Sequence, residues 1–255
     1  MSMGIQATRG ELASALGWLV DAGVDTLVGD APRAWLAETR PVETPLLVQA
    51  AATSAAPPRH QPARATAAPA IATDAWQLAA SADSLRALAA AAARLYTATL
   101  PLFDAGEAAG GLMLIGDGPT ADDVAAGHVF AGQSGLLLDR MLASIGRDRR
   151  SAYLTNVTYW VDGPDAAALS PFRERQIELA RPRAILALGG VATAALCGVN
   201  AGINRLRGKW QVARVGDLEL PVLPTFHPAY LLRQPAHKAL AWADLCALRA
   251  RLDRP

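Results

Sequence analysis

Cysteine is nearly absent: the 255-residue chain has only Cys197 and Cys246, each in an apolar, helix-like stretch. Two thiols so far apart supply neither a disulfide framework nor the four ligands of an iron–sulfur cluster. Lysine is almost as scarce, at Lys209 and Lys238 alone. No apolar run is long enough to cross a bilayer, so no membrane partner is expected. The N-terminus lacks the basic segment, compact apolar stretch and small-residue cleavage site of a secretory signal, and the cytoplasm is the expected location. What is present is 52% hydrophobic, much of it alanine, and 18% charged. That is the balance of a globular protein with a sizeable core.

The net charge of +1 hides a division. Residues 1–139 carry 7 basic and 14 acidic side chains and residues 140–255 carry 17 and 9, so the halves stand at −7 and +8. A basic C-terminal half suits a phosphate-rich partner, although surface solvation alone accounts for the same count.

Three segments are expected: a helical extension over 1–38, an Ala/Pro-rich linker over 39–73, and a folded domain over 74–255. In the domain, a helix capped by Ser81 or Asp83 runs to about Tyr96. From Gly111 strands and helices alternate. LMLIG (112–116), AYLTNV (152–157), AILALGG (184–190) and the strand before His227 are apolar runs ending in glycine or polar residues. Helices are expected over 133–145, 170–181, 191–197 and 236–252, and a hairpin turns at Gly216-Asp217. This order gives an α/β fold: three layers, α/β/α, around a four-stranded parallel central sheet.

Ligands of such sheets collect beyond the carboxyl ends of the strands. There the sequence places Gly116-Asp117-Gly118-Pro119, Asn156, Gly189-Gly190 and His227-Pro228. No Lys-Ser/Thr follows the first motif, which excludes a P-loop. Phe130, in a glycine-rich segment, has the chemistry to stack on a base, or simply anchors its loop. Asn156 offers an amide to a pyrimidine edge, or caps a turn. His227 can donate to a developing oxyanion, or cap the next helix. His128, beside Phe130, is left without an assigned role.

In this order LMLIGDGP, GHVFAGQSGLLLDRML, AYLTNV, RPRAILALGGVA, INRLRGKW and TFHPAYLLRQPAHKALAWADL resemble the uracil-DNA glycosylase superfamily. The nearest branch is family four, which carries an iron–sulfur cluster, and the resemblance spans about residues 94–248. It implies a protein that flips deoxyuridine out of single- or double-stranded DNA and hydrolyses its N-glycosidic bond in base-excision repair, acting as a monomer. It implies catalytic roles for Asp117, Asp123 and His227, and substrate contacts from Gly116, Gly118, Phe130 and Asn156. Leu231, Leu232 and Arg233 match a segment that enters the duplex.

The chain departs from the family's pattern in several places. Asp117 and Thr120 stand where the family has Glu and Gly, and His128-Val129 replaces Arg-Pro. The cluster's cysteine segments read AAARL (91–95) and Ser170, and the family's proline- and arginine-containing stretch after the Asn156 strand is a shorter WVDGPDAAALS. No metal and no cofactor are therefore expected. Two other readings stand beside the enzyme: a catalytically weak or inactive DNA-binding homologue, and an enzyme acting on a nucleoside or nucleotide.

Overall fold

A computed structural model describes residues 70–96, 99–199 and 201–254. The extension expected over 1–38 and most of the 39–73 linker lie outside the described residues. Helix α1 (Ala70–Ala80) already occupies the end of that linker. Helix α2 (Leu85–Leu95) follows, and its cap is Ser84, whose side chain accepts from the Ala87 N–H, not Ser81 or Asp83.

The sheet strands are β1 (Asp104–Gly106), β2 (Leu112–Gly116), β3 (Ala152–Asn156), β4 (Ala184–Leu188), β5 (Gln211–Val215) and β6 (Leu218–Thr225). Their order is β1-β3-β2-β4-β6-β5. The sheet is therefore mixed and six-stranded, with two edge strands beyond the four central ones expected. The inner strands β3, β2, β4 and β6 run parallel, while β1 and β5 pair antiparallel at the edges. Strand β1 is only Asp-Ala-Gly, with no apolar run to announce it.

Between the strands lie α3 (Ala121–Ala126), α4 (Gly132–Ser144), α5 (Ser170–Ala180), α6 (Gly190–Cys197) and α7 (Ile203–Leu206). Helices α8 (Pro228–Arg233) and α9 (Lys238–Leu252) close the chain. Strands β2, β3 and β4 are buried at every position, as a parallel sheet covered on both faces requires. Alternate residues of β2 serve opposite layers. Leu112 and Leu114 meet Leu138, Met141 and Leu142 of α4 and Leu245 and Leu248 of α9. Met113 and Ile115 join Ile177 of α5 and Ala192 of α6. Each such fully buried aliphatic side chain contributes about 1.5–3 kcal/mol.

A third core lies off the sheet. Leu88, Ala91 and Ala92 of α2 pack with Phe103, Tyr159, Trp160, Leu169 and Phe172. The rings are in edge and tilted contact, with Phe103–Tyr159 centroids 4.6 Å apart and Tyr159–Trp160 5.9 Å apart. No helix among the described residues is long and apolar enough to cross a membrane.

Candidate active site

Parallel strands deliver their carboxyl ends to one rim. Gly116 and Asn156 close β2 and β3 in register. The pairing runs on past both, since the Val157 N–H donates to the Gly116 carbonyl at 2.9 Å. Gly116 is the point of convergence. A Cβ there would stand 2.5 Å from Asn156 Oδ1 and 2.7 Å from Phe130 Cζ, so only a bare backbone lets the amide and the ring approach this closely.

Asn156 is 1% exposed, and its Oδ1 is buried without a hydrogen-bond partner among the described residues. A buried acceptor left unpaired costs about 1–3 kcal/mol. The atom is set to accept from something other than the protein.

Phe130 lies between α3 and α4 with φ 54°, a left-handed backbone that side chains other than glycine rarely take. Its ring is 6.2 Å from that of His227, the planes 30° apart. His227 caps α8, and its Nδ1 accepts from the Ala229 N–H at 3.2 Å. That bond leaves Nε2 to carry the proton of the neutral ring. Burial pushes the His227 pKa down, against the opposing pull of Asp117. The imidazole is thus a neutral donor at physiological pH.

Asp117 follows β2. Its Oδ1 accepts from the Ala192 N–H at 3.1 Å, which ties the first motif to the start of α6. Burial raises the Asp117 pKa, offset in part by His227 and by that backbone donor. Beside this pair opens a cleft of about 360 Å³, lined by Asp117, Gly118, Thr120, Gly189, His227, Tyr230 and Arg233 among others. Phe130 and Asn156 do not line it. Phe130 borders a shallower groove of about 600 Å³ with His128, Leu136, Asp139 and Arg149. The Phe130 ring rests against Gly116, so that Asp117 and His227 face one opening and Phe130 borders another.

Two expected site residues are turned into the protein. Asp123 is 3% exposed and faces inward. Its Oδ2 accepts from the Thr120 N–H at 2.7 Å and hydroxyl at 2.9 Å, and its Oδ1 from the Ala131 N–H at 2.5 Å. With both oxygens engaged it is built into the walls and does not present a carboxylate to the rim. Leu231 is fully buried in the core beneath α8, so it is not a duplex-entering side chain. Leu232 and Arg233, the next two, are exposed. Tyr230 and Ile203 line the cleft without having been singled out from the sequence. The HPAYLLR and INRLRGKW motifs that carry them were the available signal.

The sequence model of the uracil DNA glycosylase superfamily matches residues 103–246, more than half of the chain and all six strands. The chain belongs to the uracil DNA glycosylase superfamily. It is 30% identical over 151 residues to the type-4 uracil-DNA glycosylase of Pyrobaculum aerophilum, covering 55% of this chain and 77% of that one. It is 31% identical to the type-4 enzyme of Saccharolobus solfataricus, with 56% and 71% covered. Against that of Thermotoga maritima it is 31% identical, with 50% and 69% covered. The protein is thus uracil-DNA glycosylase-like.

For a family member of this branch, the donor set does not fit an iron–sulfur cluster. Cys197 ends α6, Cys246 sits on α9, and no other cysteine exists. Among the described residues no three His, Cys, Asp or Glu side chains gather as metal ligands. Ala91 and Ala92, in the segment matching one cysteine-bearing stretch, belong to the third core, and Leu169 and Phe172 flank Ser170 within it. Apolar side chains, and rings in edge and tilted contact, surround both segments.

Proposed function

We propose that the protein is a monofunctional DNA N-glycosylase acting on deoxyuridine. The orphaned Oδ1 of Asn156, buried against Gly116 and the Phe130 ring, is the observation that carries this reading. Uracil presents an N3–H donor between two carbonyl acceptors, and a buried unpaired acceptor is matched to that donor.

In the proposed mechanism the flipped base slides between the Phe130 ring and the Asn156 amide as the ring edge lifts from Gly116. Phe130 then stacks on the base and Asn156 Oδ1 accepts from N3–H. The C1′–N1 bond breaks with its electron pair going to the base. His227 Nε2–H donates to the uracil O2 as negative charge develops there, a contribution of about 2.7–4 kcal/mol for one well-placed donor. The Asp117 carboxylate faces the positive charge that grows on the sugar and orients a water. That water adds hydroxide to C1′, and its proton leaves with the base. Leu232 and Arg233 contact the duplex beside the extruded nucleotide, Gly118 lets the backbone approach it, and Asp123 holds the walls instead of acting on the sugar. The enzyme works on single- or double-stranded DNA as a cytoplasmic monomer, without a cluster, the third core serving in place of a metal staple.

The Asp117–Ala192 hydrogen bond favours a second reading, a weak or inactive DNA-binding homologue. It draws one carboxylate oxygen toward α6, away from the sugar. Incubating the protein with uracil-containing oligonucleotides, single- and double-stranded, followed by alkali, separates the two. Strand scission at uracil supports the enzyme, and binding without scission supports the homologue.

A further inference from the structure

Phe130 is one of two non-glycine residues with positive φ among those described, the other being Arg181 at the end of α5. A backbone of this kind persists where its surroundings over-determine it. Here they do so from both sides. Arg149, in the loop after α4, donates from Nη2 to the Phe130 carbonyl at 2.5 Å and from Nη1 to the Val129 carbonyl at 3.2 Å. The next amide, Ala131 N–H, donates to Asp123. The guanidinium is itself aimed by Asp139 of α4, which accepts from Nε at 2.7 Å. Gly135 completes the arrangement, since a Cβ there would overlap the Phe130 carbonyl.

We infer that Arg149, working against Asp123, is a positioning residue for the stacking ring: it locks the backbone of Phe130 so that only the side-chain torsions move when a base enters. The inference rests on the deoxyuridine reading above. Arginine suits this task because its rigid fork serves two adjacent carbonyls and a carboxylate at once, while lysine is a single point donor. Asp123 carries the other jaw and, through Thr120, ties it to the motif that holds Asp117. The stacking ring and the sugar-facing carboxylate therefore share one frame. A ring displaced by about 1 Å is enough to cost on the order of a hundredfold in rate.

The test compares the full-length parent with Arg149→Ala, Arg149→Lys, Phe130→Ala and a double variant that combines Arg149→Ala with Phe130→Ala. Each is measured in single-turnover uracil excision, alongside hydrogen exchange of the segment 128–135. Arg149→Ala lowers kcat/KM by about tenfold to a hundredfold, and Arg149→Lys falls between it and the parent. In the Phe130→Ala background the loss on removing Arg149 shrinks to within about twofold, since residues acting as one unit are not additive. Exchange accelerates over 128–135 and stays unchanged in the strands. An equal loss in both backgrounds, or a salt dependence of DNA binding that falls by about one unit while free-uracil inhibition stays intact, makes Arg149 a phosphate contact and overturns the inference. If Arg149→Ala does not fold, Asp139→Asn, which loosens the fork without removing it, gives the same cycle. If the parent excises nothing, the deoxyuridine reading fails on its own. The exchange comparison still decides the clamp, and unaltered exchange over 128–135 refutes it.

Discussion

Asp117 and His227 line one cleft within electrostatic reach of each other, and burial drives each toward its neutral form: the carboxyl pKa is raised and the imidazole pKa lowered. The two shifts have opposite consequences for stability. The folded state holds the Asp117 proton more tightly than the unfolded chain does. Stability is therefore lost as pH rises from the ordinary carboxylate value of 3.8 through the raised one. For His227 the unfolded chain binds the proton more tightly, so stability is lost as pH falls from 6.5 through the lowered value.

Replacing Asp117 by Asn is accordingly expected to raise Tm at neutral pH, where the parent carries a buried carboxylate, while lowering uracil excision. Asn keeps an oxygen for the Ala192 N–H. Thermal melts across a pH series check the sign: the gap in Tm between variant and parent narrows toward pH 3.8. A gap that widens on acidification contradicts the assignment.

Gly116→Ala introduces a methyl where Asn156 Oδ1 and Phe130 Cζ already stand within 2.7 Å. Overpacking of this kind costs about 1–3 kcal/mol, so the protein still folds. Excision is expected to drop by about tenfold to a hundredfold because ring and amide are pushed apart. Steady-state kinetics beside a urea melt measure the two effects together.

The sheet was legible because its central strands are unbroken apolar runs ending in glycine or asparagine, a pattern that a strand buried on both faces imposes. Strand β1 was not, since Asp104-Ala105-Gly106 pairs through its backbone and needs no apolar side chain. Helix α3 was obscured by the glycines around it. Thr120 and Asp123 form a capping box at its start, a signal present in the sequence, and the same bonds explain why Asp123 is not free for catalysis. Leu231 and Leu232 are indistinguishable as letters, and only the rotation of α8 buries the first and exposes the second. Arg149's role was out of reach, because its bonds to the Phe130 loop go to backbone carbonyls 19 and 20 residues away, which no side-chain pattern marks.

The third core supplies a prediction about metal. Phe172→Ala, at a fully buried ring, is expected to destabilise the protein by about 3–5 kcal/mol. Iron chelation is expected to leave Tm and excision unchanged, because two cysteines are too few to ligate a four-thiolate cluster. A fall in Tm on chelation, or iron bound in stoichiometric amount, contradicts this.

If the Asn156 amide reads the N3–H edge of a pyrimidine, a base without that N–H is not bound. Titration calorimetry with free uracil and with 3-methyluracil tests it directly. Uracil is expected to bind the parent, with 3-methyluracil failing to bind and Asn156→Ala abolishing the uracil signal while leaving Tm nearly unaltered. Equal binding of the two bases, or uracil binding that survives Asn156→Ala, contradicts the assignment.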